Sequence, residues 1–301
     1  MRNIEAQGLQ TERVSISVGA PGTRSGTLRG TLRMPGAELA RAGVTIHSAT
    51  AVPQRLYSGF AESLAKAGFA VLAYDYRGTG ESGNARDNPR LRMRDWMDDD
   101  VPAAAAWMRQ RFPDVPHLAV GHSLGGHALA LNNGTEGLSG FMTVASHAGV
   151  TASIPDRVER ARVELILRVL GPGTARLLGY VPGRRFGLGE DMPTAAMREW
   201  GKWTRQPGYF FDDPTMHARE RTGRVRTEVL CVGLSDDPWA TPAQIGLIGR
   251  QLVNARVQTR IYAPADAGVA AIGHMGYFRR APGARLWPDA VAWLTERAAR
   301  A

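Results

Sequence analysis

Two runs near the start, residues 13–18 (RVSISV) and 27–33 (TLRGTLR), alternate apolar and polar positions, the period-2 pattern of half-buried strands. The stretch Pro-Gly-Thr-Arg-Ser-Gly at 21–26 has turn composition, so the pair predicts an antiparallel hairpin. The rhythm then changes. Short strand-like runs at 43–47 (GVTIH), 69–74 (FAVLAY), 117–120 (HLAV), 140–145 (GFMTVA), 227–233 (TEVLCVG) and 258–262 (QTRIY) are separated by segments of helical spacing. In the first of these, 53–68, Leu56, Phe60 and Leu64 share a face, Pro53 suits the start and Gly68 the end. In the second, 93–112, Asp98, Asp99 and Asp100 suit an N-terminal turn, where the macrodipole favours negative charge, and Pro102 fits only near a helix start. Further helices are expected after Ser123, at 241–252 and at 286–300. Strand alternating with helix predicts a mostly parallel sheet covered on both faces.

That alternation fails between about 150 and 223. This stretch holds no convincing strand but several amphipathic segments, 157–171 (RVERARVELILRVLG), 174–180 (TARLLGY) and 195–205 (AAMREWGKWTR), punctuated by Gly-Pro-Gly and Pro-Gly. It predicts a helical insertion, 150–223, lying over a core formed by 1–149 and 224–301.

The chain of 301 residues, 44% hydrophobic and 22% charged, has the composition of an ordinary globular protein. Its first residues lack the apolar core of a signal peptide, and no uncharged apolar run reaches the roughly 18 residues that a membrane span needs. With one cysteine, Cys231, no internal disulfide can form; together these features favour the cytoplasm. The formal net charge is +9, yet only Lys66 and Lys202 are lysines, and the arginines are scattered among acidic residues. This describes a solvated surface better than a nucleic-acid interface, leaving room for an affinity towards anionic substrates. No partner beyond a small-molecule substrate is implied, and the oligomeric state is open.

Residues 117–127, HLAVGHSLGGH, read as strand, sharp turn, helix with Ser123 at the apex. Gly121 and Gly125 flank it where a side chain would meet the neighbouring strand or helix, the arrangement of a nucleophile elbow. A serine nucleophile needs a base, and the base needs an orienting group. His274, between Gly273 and Met275 in a loop beyond the last strand, is the best placed of seven histidines; His122 and His127 are too close to the serine in sequence. Asp236 and Asp237 follow the strand that ends at Gly233. Asp236 is preferred as the acid, because Asp237 precedes Pro238 and is positioned to cap the next turn. No carboxylate or cysteine completes a metal-binding spacing with His122 and His127, so no metal is expected.

The motifs ATAVPQRLY (49–57), YDYRGTGES (74–82), GHSLGGHAL (121–129), SDDPWATP (235–242) and GHMGYFRR (273–280) occur in this order across most of the chain. Together they resemble the α/β-hydrolases, in particular the bacterial group described as serine-aminopeptidase-like. The resemblance implies an α/β fold with an eight-stranded, mostly parallel sheet, a helical lid after the sixth strand, no cofactor, and hydrolysis through an acyl-enzyme. It also implies an oxyanion hole from the backbone N–H groups of Leu124 and Ala49, although His47-Ser48 stands where many relatives carry His-Gly. Relatives with Gly-x-x-Asp favour Asp236, those with Asp-Pro favour Asp237. Trp200, Trp203, Tyr209, Phe210 and Phe211 either line an acyl pocket or form the core of the insertion; Trp200, Trp203 and His122 are the expected substrate contacts. The expected activity is cleavage of a carboxylic ester of small to medium acyl length by Ser123, His274 and an aspartate. An acyltransferase, an aminopeptidase-like amide hydrolase and a non-catalytic binding protein are the rival readings.

Overall fold

The computed structural model describes residues 8–19, 25–36 and 39–300. Strands β1 (Gln10–Val18) and β2 (Gly26–Met34) pair antiparallel with Val18 opposite Gly26. The turn expected between them lies, over 20–24, outside the described residues. There follow β3 (Ala42–His47), β4 (Phe69–Tyr74), β5 (His117–His122), β6 (Leu138–Val144), β7 (Glu228–Leu234) and β8 (Val257–Tyr262). They form one sheet in the order β1-β2-β4-β3-β5-β6-β7-β8, antiparallel through β4 and parallel from there on. Every residue of β3, β4 and β5 is buried, which is why their sequences read as continuous apolar runs. β8 lies at the edge and exposes Gln258, Thr259 and Arg260, the polar edge that discourages pairing with another sheet.

Helices α1 (Ser58–Lys66), α2 (Val101–Arg111), α3 (Leu124–Ala130), α4 (Arg157–Leu165), α5 (Gly171–Leu178), α6 (Thr194–Trp203), α7 (Pro242–Gln251) and α8 (Arg280–Ala298) complete the layers. Gly68, at φ +91°, takes the left-handed position just past α1 that its sequence position predicts. The expected helix 93–112 is interrupted by a wide π-turn at Trp96–Asp100, which sets the three aspartates just ahead of α2, at the end where negative charge was expected. Asp99 and Asp100 have a second task there. They hold Arg77, whose guanidinium is buried behind β4 and donates to Asp100 at 2.5 Å and to Asp99 at 2.9 Å. Burial pushes the Asp100 carboxyl up to about 7 against the pull of Arg77.

Between β6 and β7 the alternation does stop, and α4, α5 and α6 fill the gap. A two-residue ribbon pairing Tyr180–Val181 with Met192–Pro193 is the one strand feature that the sequence pattern did not reveal there. α6 is fixed by buried polar bonds: the Arg94 N–H and guanidinium donate to Glu199, and Asp213 accepts from Arg94, Lys202 and Trp203. α4 buries none of its residues, and Val158 and Leu177 are 79% and 83% exposed. Among the described residues, no helix is long and apolar enough to cross a membrane.

The Arg77–Asp100 pair supplies the first prediction. Asp100→Ala leaves a buried guanidinium without one of its carboxylates and should lower stability by about 3 kcal/mol. Asp98→Ala, which breaks a more exposed pair with Arg221, should cost less than about 1 kcal/mol. Urea midpoints that rank the two variants the other way would show that the pair is not the anchor.

Candidate active site

β5 ends in the sheet's interior, and the chain must reverse at once to begin α3. Ser123 makes that turn at φ 49° and ψ −107°, outside the favoured regions, a strain on the order of 1–3 kcal/mol. Its N–H donates to the Val144 carbonyl at 2.8 Å, and its own carbonyl accepts from Ser146 Oγ at 2.9 Å. A Cβ at Gly121 would land on the backbone of Gly125 and Gly126, and one at Gly125 on the carbonyl of His47. Only glycine lets α3 approach β3 and β5 this closely. Ser123 is thus held at the carboxyl end of the parallel strands, where open α/β sheets bind ligands.

His274 lies in the short turn Gly273–Gly276. Its Nδ1–H donates to Asp237 Oδ2 at 2.6 Å. The other oxygen of Asp237 accepts the N–H groups of Trp239 (2.9 Å) and Ala240 (3.0 Å). Burial alone would raise the Asp237 pKa, but the charge and hydrogen bond of His274 outweigh it and hold the carboxyl down to about 2. The preference for Asp236 is therefore corrected. Asp236 accepts instead from the N–H groups of Ile272 (2.7 Å) and Gly273 (3.1 Å), fixing the segment that carries the histidine. Asp237 does cap the turn after Pro238, as expected, and its second oxygen is still free for the imidazole.

Two other expected residues stand in a relay behind the site. The Ala49 N–H donates to Tyr57 Oη at 2.8 Å, so this donor is already engaged. Tyr57 O–H donates to His122 Nδ1 at 2.9 Å, and His122 Nε2–H donates to the His274 carbonyl at 3.0 Å. His122 is fully buried and does not border the cavity, contrary to its expected role as a substrate contact. The N–H groups of Leu124 and Thr50 have no partner among the described residues. Ser48 turns its hydroxyl back onto the Tyr74 carbonyl at 3.1 Å.

Ser123 and His274 open on the same cavity, in which a water molecule's centre can range over ≈ 50 Å³. Ile154, Val163, Ile166, Leu167 and Leu188 of the helical insertion supply apolar wall, with Trp239 from the sheet's end. Trp239 also lies against the His274 ring, centroids 5.2 Å apart, and donates Nε1–H to Glu159 of α4 at 2.8 Å. Of the aromatic run, Trp200 and Tyr209 line the cavity, whereas Trp203 and Phe210 are buried against each other inside the insertion, so Trp203 is corrected from contact to core. Among the described residues, no Asp or Glu borders the cavity. Thr50, Tyr57, Trp239 and His147 are contributors that sequence reasoning missed. His147 had a signal, since it follows the end of β6 as Ser123 follows β5. Among the described residues, no three His, Cys, Asp or Glu side chains are grouped to hold a metal ion.

A family model described as serine aminopeptidase, S33, matches residues 41–181. No curated protein sequence matches the chain. Solved structures do. An esterase from Exiguobacterium antarcticum superposes with TM-score 0.58 at 14% identity, covering 93% of this chain and 98% of its own. A monoacylglycerol lipase of Paleococcus ferrophilus gives TM-score 0.59 at 15% identity, with 90% and 99% covered. A Xanthomonas campestris α/β serine hydrolase without a lid gives TM-score 0.51 at 13% identity, with 96% and 94% covered. The fold is that of the α/β-hydrolases, as the sequence motifs led us to expect.

The buried histidines make folding pH-dependent. Burial holds His47, His122 and His127 down to about 3 and, with His274 beside it, His147 down to about 4. Between those values and about 6.5 the unfolded rings take up protons that the folded ones refuse, so stability falls as pH falls, by up to about 1.4 kcal/mol per unit for each ring. Asp75, Asp100 and Glu199, raised by burial, oppose this because their contributions are lost as pH rises. The four histidines outnumber them, and the urea midpoint should drop from about pH 7 to about pH 5. A flat or rising midpoint would contradict this balance.

Proposed function

We propose that this chain is a serine hydrolase that cleaves a carboxylic ester with a small to medium acyl group. The observation that carries the reading is the Asp237–His274 pair opening on the same apolar cavity as the strained Ser123. In the proposed mechanism, Ser123 Oγ attacks the ester carbonyl and His274 Nε2 takes its proton. Asp237 keeps the proton of the free imidazole on Nδ1, so that the Nε2 lone pair faces the serine, and stabilises the imidazolium that forms. The oxyanion is held by the N–H groups of Leu124, next to Ser123, and of Thr50, which lines the cavity, neither having a partner among the described residues; Ala49 is replaced in this role because Tyr57 occupies its N–H. The imidazolium then protonates the leaving alcohol, and the same histidine activates the water that hydrolyses the acyl-enzyme.

Residues 150–223 act in this proposal as a lid over a core of 1–149 and 224–301. The apolar side chains that they contribute to the cavity support that division. The absence of a lining carboxylate among the described residues weighs against an aminopeptidase, which would need one to receive the substrate's ammonium group.

Ser123→Ala should abolish labelling by a fluorophosphonate and reduce turnover of an activated ester by a factor on the order of 10⁴ to 10⁶. Asp237→Asn should cost about 10⁴, and Asp236→Asn, which perturbs only the support of the histidine segment, far less. Persistent labelling of the alanine variant refutes the nucleophile, and a larger loss for Asp236→Asn at equal stability refutes the acid.

A further inference from the structure

His147 belongs to neither the Ser123–His274–Asp237 set nor the Tyr57 relay, yet it borders the cavity that those residues serve. It follows β6 by three residues, and its ring centroid is 5.5 Å from that of His274, the planes crossing at 82°. Its Nδ1 is 3.1 Å from the Ala145 carbonyl. A carbonyl only accepts, so Nδ1 carries the proton and Nε2 is the bare, accepting nitrogen. Nε2 has no hydrogen-bond partner among the described residues, and His147 is 9% exposed, as a side chain facing a small cavity would be. The backbone of His147 is fixed too, since its carbonyl accepts His127 Nε2–H at 2.7 Å.

His122, a structural histidine, has both nitrogens satisfied, and the bare Nε2 of His47 is sealed in the core; His147 differs in bordering the cavity with its bare nitrogen unsealed. A second general base would need a proton affinity near that of the medium. Burial and the neighbouring His274 hold His147 down to about 4, so it remains neutral and a weak base. What is left is a fixed acceptor in a mostly apolar cavity, beside the His274 ring. No lining carboxylate among the described residues accompanies it, so its natural complement is a neutral donor rather than an ammonium group.

We propose that His147 Nε2 is a specificity-determining acceptor for a hydroxyl carried by the ester substrate within a few bonds of the scissile carbonyl. This rests on the serine-hydrolase reading above and names its substrate class: hydroxy-substituted esters, the hydroxyl lying either on the acyl chain or on the leaving alcohol. A plain ester of equal size leaves Nε2 desolvated and unpaired. Sites built to bond a substrate hydroxyl discriminate strongly against the analogue that lacks it.

The test uses the full chain and two matched pairs. For the acyl side these are 4-nitrophenyl 3-hydroxybutyrate and 4-nitrophenyl butyrate; for the alcohol side, 2-hydroxyethyl butyrate and propyl butyrate. The wild type should favour the hydroxylated member of one pair by about tenfold or more in kcat/KM, and the responding pair identifies the side. His147→Phe, which keeps a ring but no acceptor, should bring that ratio close to one. His147→Gln, whose amide oxygen can replace Nε2, should recover a substantial part of it and also serves if the phenylalanine variant fails to fold. No hydroxyl preference in either pair, or a preference that survives in folded His147→Phe, overturns the proposal. Fluorophosphonate labelling of Ser123 in the wild type separates this outcome from failure of the underlying reading, because that probe carries no hydroxyl.

Discussion

The constraint on which the rest of this structure depends is the backbone of one residue. Ser123 can hold φ 49° and ψ −107° only because β5 is pinned between β3 and β6 and α3 is pressed onto them through Gly121, Gly125 and Gly126. A side chain at any of the three would push the helix off the strands, and the serine could then relax. The strain is small beside the burial of β3, β4 and β5, which is what makes it affordable. Because the sheet order places β3, β5, β6 and β7 side by side, the loops at their carboxyl ends converge on the same point as the serine. Ala49 and Thr50, Ser123, His147 and Asp237 arrive there from four successive neighbours in the sheet.

Convergence alone would leave those loops independently mobile. The hydrogen bonds behind the cavity prevent this. From the Ala49 N–H through Tyr57 and His122 to the His274 carbonyl, three bonds of 2.8 to 3.0 Å tie the loop after β3 to the histidine turn by way of β5. The one imidazole in the relay, His122, has a defined tautomer, because its Nε2 faces the His274 carbonyl. Burial keeps His122 neutral, so the direction of its bonds does not change over the working range of pH. The same burial that orders the relay makes the fold sensitive to acid.

The insertion is bound to this core unevenly. α6 is held by Arg94, Glu199 and Asp213 in largely buried ion pairs, whereas α4 has no buried residue and meets the site through Val163 and the Glu159–Trp239 bond. On the α4 side, Trp239 links the wall of the cavity to the histidine ring, since it lies against His274 and donates to Glu159.

How much of this was legible in the sequence follows from how local each feature is. The strands, their alternation with helices and the break after β6 are local patterns of burial, and the glycines around Ser123 are a local steric requirement. That Asp99 and Asp100 also hold Arg77 was not legible, because Arg77 is more than twenty residues away and the π-turn that aims them at it leaves no periodic trace. Ala49 was read as a free donor; Tyr57 takes its N–H from eight residues on, across a turn whose path the residue pattern does not reveal. The two aspartates after β7 show the limit most plainly. Their reading as alternatives, one to orient the histidine and one to cap a turn, assumed one task per carboxylate. Asp237 performs both with its two oxygens, and Asp236 holds the backbone that delivers the histidine. Pro238, taken as evidence against Asp237, sits within the turn whose N–H groups fix the Asp237 carboxylate for His274.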